Sequence, residues 1–509
     1  MIFQKVRMGI IHKQGFNSTL LNYLGVGFAY ANLIFVLPYF LDLTEIGLMR
    51  LIIEIASLLM LVFQLGAPYL VIRFFPFYKD SDLDTRSFYT LSLGIAGIGI
   101  ILMLLFYILF RSPFITYFSA KSELISDYEM VFLSMAIGLI LFSLFERIFG
   151  SKKIVILPTF IREIINRVGL SVVVVLIGLG IYSFNDGMVV WVGIFFVGPL
   201  VLLYLYKKQF GLRLAFSKNV WNKVNYKKYI SYSGIVTMGA IGGGLSLKID
   251  MLMTGSMLGL EQLGIYATMV YIATVIEVPK RALTQISDPF ISEYYADGRI
   301  DKIEELYSKN SMALLVFGLL LFLLIYSGLP YLFEIMPKGD QFATGINVFL
   351  IIAGVKILSL LGGIANQILL NSTEAWVSSM TIIILAIMSI GLNYLLIPIY
   401  GLEGAAFATL ISVGVNSILI MMHVFIKFKI HPFCREMIYL SAITSVLFAV
   451  VLFFPKIANP YLGLLLSSAL ISLLYGILVY YLKLSEDVNV LIENIIVRGK
   501  IFFKNSRYQ

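Results

Sequence analysis

Runs of about twenty apolar residues, divided by short polar connectors, recur some fourteen times between Asn17 and Leu482. Each run is long enough to carry an α-helix across ~30 Å of hydrocarbon, where a helix succeeds because it satisfies its own backbone N–H and C=O groups. No other feature limits the possible folds as strongly. Of the 509 residues, 60% are hydrophobic and 13% are charged, against about 45–50% and about 25% in soluble domains. Fourteen crossings use about 280 residues and leave roughly 15 for each connector. This excludes a secreted enzyme, a nucleic-acid-binding module and a single-anchor receptor. The expected fold class is an all-α polytopic membrane protein with about 14 transmembrane helices.

Basic residues set the expected orientation. With the N-terminus inside, 29 of the 38 Lys and Arg residues fall on cytoplasmic segments, whereas only 4 (Arg111, Lys121, Lys338 and Lys456) face outward. Short cytoplasmic loops carry such an excess, so the alternation predicts a multi-pass protein of the cell (inner or plasma) membrane with both termini cytoplasmic. The formal net charge of +9 then reports topology, and no nucleic-acid partner is expected. The first span has no small-residue cleavage site after it and reads as retained rather than as a signal peptide. One cysteine (Cys434) and three scattered histidines (His12, His423, His431) provide neither a disulfide framework nor a metal cluster. No cofactor and no metal are expected.

Two inside segments are distinctive. Residues 207–229 mix lysines with aromatics, as in a helix lying on anionic lipid headgroups. Residues 291–310 place Ile300, Ile303, Leu306 and Tyr307 at helical spacing opposite Asp301, Lys302, Glu304 and Glu305, which also reads as an interfacial amphipathic helix. A plain solvated connector is the alternative for both.

A weak repeat recurs at a single offset. Leu41-Asp42-Leu43-Thr44-Glu45-Ile46-Gly47-Leu48 precedes the second span, and Leu258-Gly259-Leu260-Glu261-Gln262-Leu263-Gly264-Ile265 precedes the eighth, 217 residues later. The same offset pairs Asp186-Gly187 with Glu403-Gly404. Six spans per copy is an even number, so both copies enter from the same side, as parallel repeats that enclose a central cavity. The expected organisation is an N-lobe at 1–206, a basic cytoplasmic linker at 207–229, a C-lobe at 230–427, and two further spans with a basic tail at 428–509.

Several motifs resemble the polysaccharide transporter branch of the MOP superfamily, the O-antigen and lipid-linked oligosaccharide flippases related to MATE exporters and lipid II flippases. Glu45-Ile46-Gly47-Leu48, Leu65-Gly66 and Arg73-Phe74 resemble its first hairpin. Lys248-Ile249-Asp250-Met251-Leu252-Met253-Thr254-Gly255, with Leu258-Gly259 and Leu263-Gly264-Ile265-Tyr266, resembles its seventh span and the turn after it. Ile397-Pro398-Ile399-Tyr400-Gly401-Leu402-Glu403-Gly404-Ala405-Ala406-Phe407-Ala408-Thr409 resembles its eleventh-to-twelfth turn. The glycines and alanines let helices approach closely. The resemblance implies two parallel six-helix repeats plus two C-terminal helices. It also implies a polyprenyl-pyrophosphate-linked oligosaccharide as cargo, for lipopolysaccharide or other surface polysaccharide.

An ionisable group at the centre of a span costs at least about 2.5 kcal/mol on insertion scales, so each should face a cavity or a partner. Arg50 and Glu54 are four residues apart on one helix face. They either fix the helix rotation as an internal pair, or Arg50 holds an anionic headgroup. Glu163 and Arg167 form a second such spacing and leave Arg162 to snorkel towards headgroups. Lys248 and Asp250 sit on opposite sides of their helix, just after Gly239, Gly242, Gly243 and Gly244, which either weaken it and permit a bend during gating or let it pack closely against a neighbour. Glu277 and Lys356 both lie about 13 residues, or ~20 Å, from the outer face and make a plausible pair or a coupling-ion site. The candidate substrate-binding residues are therefore Arg50, Lys248, Lys356 and Arg167; Glu54, Asp250 and Glu277 are candidates for ion pairing or for coupling to H+ or Na+.

The expected activity is transport rather than catalysis, by alternating access, with the lipid-linked oligosaccharide and membrane lipids as partners. Tyr23, Tyr30 and Tyr271 are candidates to stack on sugars, with packing as the alternative. A MATE-like cation-coupled drug exporter is the second reading. It predicts an acidic cavity. A membrane-embedded polymerase or glycosyltransferase is a third, disfavoured by the short outside segments. No P-loop sequence is present, so drive by ATP needs a separate subunit.

Overall fold

A computed structural model describes residues 20–119, 121, 123–210, 216–217, 220, 226–246, 248–485, 488–490 and 493. Among these residues there is no strand; the chain is helical almost throughout. The helices are α1 (Leu20–Phe40), α2 (Leu43–Phe63), α3 (Ala67–Phe74), α4 (Asp82–Ser119), α5 (Glu129–Ser151), α6 (156–178), α7 (Phe184–Phe210), α8 (Tyr226–Ser246), α9 (Ile249–Leu258) and α10 (Leu260–Thr274). They continue with α11 (Val278–Ala296), α12 (Ile300–Ile335), α13 (Ile346–Leu361), α14 (Ala365–Leu370), α15 (Ala375–Phe428), α16 (Arg435–Leu452) and α17 (Pro460–Tyr481).

Ten of the described helices are long and apolar enough to cross a membrane, or 11 when the bent pair α8–α9 counts as one crossing. This is compatible with fourteen spans. The expected fifth span is α6, which a π turn at Ile161–Ile165 interrupts, and the expected tenth is divided between α13 and α14. The eleventh and twelfth share the 54-residue α15, which reverses at Gly401 with φ 58° and ψ −131°. Only glycine adopts that conformation without strain. A Cβ on Gly404 would collide with the backbone of Leu396, so the two arms of α15 touch directly beside the turn.

Local chemistry places the helix starts. Asp42 and Glu45 form a capping box at the head of α2, with the Asp42 amide donating to Glu45 Oε2 at 2.9 Å. Asn459 Oδ1 accepts from the amides of Tyr461 (3.0 Å) and Leu462 (3.2 Å), and Pro460 starts α17 where its missing N–H costs nothing.

The chain divides into two compact units, Met1–Gly264 and Ile265–Gln509. In the first, α5 packs on α2, α3 and α7, and Leu51, Ile52 and Ala56 of α2 and Met135, Ala136 and Ile140 of α5 are buried. Helix α8 packs on α2 and α3 in the same unit. There the Tyr78 and Tyr229 hydroxyls bond at 2.8 Å, Tyr229 stacks on Phe74, and the Arg73 guanidinium lies 4.5 Å from the Tyr232 ring. The packing boundary therefore falls after α8 and α9, whereas the expected C-lobe starts at residue 230. In the second unit α12 packs on α13, α16 and α17, and α13 packs on α15. The Tyr475 hydroxyl reaches the Val316 carbonyl at 2.8 Å.

The amphipathic segment at 291–310 is not a separate interfacial helix. Residues 291–296 end α11 and 300–310 form the first turns of α12, where Ile303 and Tyr307 are buried with Ile364, Ile368 and Val424 in one apolar cluster. A stripe read as lipid-facing is thus covered by protein. Most of the basic segment 207–229 lies outside the described residues. Its described Ser217 donates its amide to Ser87 Oγ at 3.0 Å and its hydroxyl to Asp84, which ties it to α4.

The repeat segments touch each other. A Cβ on Gly47 would overlap the Leu260 carbonyl, and a Cβ on Gly264 would sit 2.8 Å from the Leu43 carbonyl oxygen. Leu43 and Leu260 are equivalent at the 217-residue offset, and so are Gly47 and Gly264. The contact is reciprocal, as in a self-complementary two-fold interface.

Candidate functional site

Three interruptions of helical geometry coincide with the charges that sequence reasoning singled out. The first is the 52° bend between α8 and α9, which falls just after the glycine run. Lys248 caps α9 at this bend, and its ammonium pairs with Glu54 of α2. The Glu54 side chain is 4% exposed and that of Lys248 is 26% exposed. Asp250 is buried and accepts from the Met251 amide at 2.8 Å through Oδ1, so it does not share the outlook of Lys248. Arg50 is half-buried, one turn before Glu54 on α2.

The second is the π turn in α6. Glu163 lies within it, nearly buried, and its Oε2 accepts from Arg167 Nη2 at 2.6 Å. Arg162 is not left over: it bonds Glu163 at 3.0 Å and also reaches Glu146 of α5. The i, i+4 count missed Glu146 because that residue is on another helix. Helix α1 has its own π turn at Asn32–Val36. The buried Asn32 donates through Nδ2 to the Arg167 carbonyl at 2.8 Å, and its Oδ1 accepts from Ser171. A π turn widens the helix by one residue and frees a backbone carbonyl from the regular ladder; here the side chain of α1 bonds the backbone of α6 beside one. Arg167 Nη1 is buried and has no hydrogen-bond partner among the described residues.

The third lies in the second unit, between α10 and α11. Val275–Glu277 forms a 3₁₀ turn and Pro279 follows, so the regular hydrogen-bond ladder is broken at Glu277. Glu277 Oε2 accepts from Lys356 Nζ at 3.0 Å, the contact that equal depth predicts. Glu277 Oε1 accepts from Ser359 Oγ at 2.7 Å. Lys280 bonds both the hydroxyl and the carbonyl of Ser359, each at 2.7 Å. The charge alternation places Lys280 among the cytoplasmic loop residues, whereas in the structure it is half-buried against Ser359. Pro279, next to a carboxylate in an apolar run, was the signal that the span is broken there and that the following lysine turns inward.

Of the aromatic candidates, Tyr23 is exposed, and Tyr30 and Tyr271 are half-buried. Among the described residues no group of three or more His, Cys, Asp or Glu side chains has the geometry to hold a metal ion.

Irregular backbone at membrane depth is tolerated where it is buried in protein or lines a wet cavity, and ionisable groups in spans mark pathways for ions and polar substrates. Residues 11–294 match the sequence profile of a family described as polysaccharide biosynthesis protein. Over 306 residues the chain is 27% identical to a Haloferax volcanii protein named "Probable low-salt glycan biosynthesis flippase Agl15". That match covers 59% of this chain and 60% of the relative, less than two thirds of its length. The fold is similar to that of the lipid II flippase MurJ in an inward closed conformation. The TM-score is 0.68 at 13% identity, over 92% of this chain and 98% of that one. It is also similar to an inward-facing multidrug resistance MATE family transporter of the MOP superfamily, with a TM-score of 0.60 at 16% identity, over 80% of this chain and 94% of that one.

Proposed function

The chain belongs to the polysaccharide biosynthesis protein family and has the fold of the MOP superfamily, and from this premise we propose that it is a flippase. Its cargo is a polyprenyl-pyrophosphate-linked oligosaccharide, moved from the cytoplasmic to the outer face of the cell membrane for surface polysaccharide synthesis. A pyrophosphate bearing sugars cannot cross ~30 Å of hydrocarbon unaided, because its charges and hydroxyls lose their water without replacement partners. The protein supplies those partners while the polyprenyl tail stays in lipid, and alternating access moves the head across. Within the first unit Arg50, Arg167 and Lys248, and within the second Lys356, are the groups that could meet the anionic head. Glu54, Asp250 and Glu277 balance them and take part in coupling to H+ or Na+.

The observation that carries this reading is the coincidence of ion pairs with helix interruptions at Lys248, Glu163 and Glu277. A buried pair costs desolvation and is no economical way to stabilise a bundle, whereas a polar pathway requires it. The second reading, an exporter of cationic drugs, calls for an excess of carboxylates. At Glu277 the cations are in excess.

The test places purified protein in liposomes with lipid-linked oligosaccharide on the inner leaflet, and lectin outside reports transfer. Access above the empty-vesicle rate is expected. Access at that rate sinks the flippase reading, and uptake of a cationic dye by the same vesicles selects the exporter.

A further inference from the structure

The network at the α10–α11 break contains two ammonium groups and one carboxylate. Lys280 donates to Ser359, the Ser359 hydroxyl donates to Glu277, and Lys356 donates to the other oxygen of Glu277. All four residues are half-buried. Among the described residues α13 carries no carboxylate, α12 meets this turn near Gly318 while its own acids (Asp301, Glu304, Glu305 and Glu334) lie towards its two ends, and Arg281, the next residue along α11, is exposed. An ion pair that only locks two helices together needs one lysine. A second lysine held through a serine leaves one positive charge unbalanced in a span, where charge is expensive, and so leaves an acceptor's place open.

We propose that Lys280 and Lys356 form a seat for a pyrophosphate-type dianion that exchanges with the Glu277 carboxylate; this rests on the flippase reading and adds Lys280 to the basic groups that meet the charged part of the cargo. The arriving anion takes over the lysine N–H groups. Glu277, stripped of its ammonium partners among apolar side chains, takes up a proton from solvent. Two lysines, a dianion and a neutral acid sum to zero charge, whereas the empty site carries +1. The serine remains as a donor to whichever oxygen faces it. Binding therefore draws in one proton per anion.

The experiment is calorimetry on the full chain in nanodiscs near neutral pH, in two buffers of different ionisation enthalpy, with a short dialkyl pyrophosphate diester in one arm and a polyprenyl pyrophosphate capped by a sugar in the other, both fixed dianions with no titratable phosphate. Binding in either arm with uptake of about one proton is expected, and the arm that binds identifies a free or a lipid-borne source. Lys280→Gln and Lys356→Gln should each weaken binding at least tenfold, and Lys356→Arg should retain it. Glu277→Gln should bind at least as tightly as the unaltered protein with no proton uptake, a result that a purely structural carboxylate does not give. Silence in both arms overturns the proposal. So does wild-type affinity in folded lysine variants, or loss of affinity in Glu277→Gln. Lectin access without any dependence of pyrophosphate binding on the lysines would leave the flippase reading standing and remove this one; binding as described without lectin access would do the reverse.

Discussion

Gly47 and Gly264, 217 residues apart in sequence, occupy equivalent places in two similar segments, and each lies against the segment of the other. The second carbonyl partner, Leu260 for Gly47 and Leu43 for Gly264, obeys the same offset. Two helix starts can meet this closely only where neither side chain intervenes.

A methyl group at either glycine forces the backbones apart. The Gly47 position overlaps its neighbour outright and the Gly264 position stops at 2.8 Å. Gly47→Ala should therefore lower the thermal midpoint in detergent more than Gly264→Ala, by an amount within the ~1–3 kcal/mol of overpacking. Equal midpoints for both variants and the parent would show that the helices part freely.

Glu54 and Lys248 should couple in a double-mutant cycle. Removing one partner of a buried pair costs about 3–5 kcal/mol, and the partial exposure of Lys248 puts this pair at the lower end. Glu54→Leu combined with Lys248→Met should regain part of what each single change loses. Additive losses would mean the two side chains do not depend on each other.

Arg50→Ala should slow lectin-detected transfer about tenfold or more, the equivalent of one charge-assisted hydrogen bond, with expression unchanged. Unaltered transfer would assign Arg50 to the packing of α2.

Lys456, exposed in the connector between α16 and α17, hydrogen-bonds Glu334, and this holds its ammonium above the ordinary lysine pKa. The folded protein thus binds this proton more tightly than the unfolded chain does. The contribution is complete below the unfolded value near 10.4 and disappears as pH rises through the folded one. The gap in thermal midpoint between the parent and Lys456→Met should be present at pH 8 and close at strongly alkaline pH. A gap that persists there points to packing instead.

Helix positions were legible because each crossing needs one long apolar run, and that signal is local. The pairing of Glu277 with Lys356 was also legible, since two groups at equal depth in neighbouring spans have few other partners. The pair Glu54–Lys248 was not, because 194 residues and a bend separate its members. The π turns left no mark in the sequence: Ile161–Ile165 differs from an ordinary helical turn in hydrogen bonding, not in composition. Lys280 was misplaced by the same rule that oriented the chain, which assigns any lysine near the end of a span to the cytoplasm. Ile303 and Tyr307 show a similar limit, for an apolar stripe looks the same whether lipid or protein covers it.

The reversal at Gly401 joins two expected crossings with no slack between them, and Gly404 already leans on Leu396. Neither arm can slide along its own axis or rotate without dragging the other. On the flippase reading proposed above, the two arms then shift together beside the turn, and the interrupted helices at Lys248 and Glu277 are the places where the backbone already departs from a regular helix.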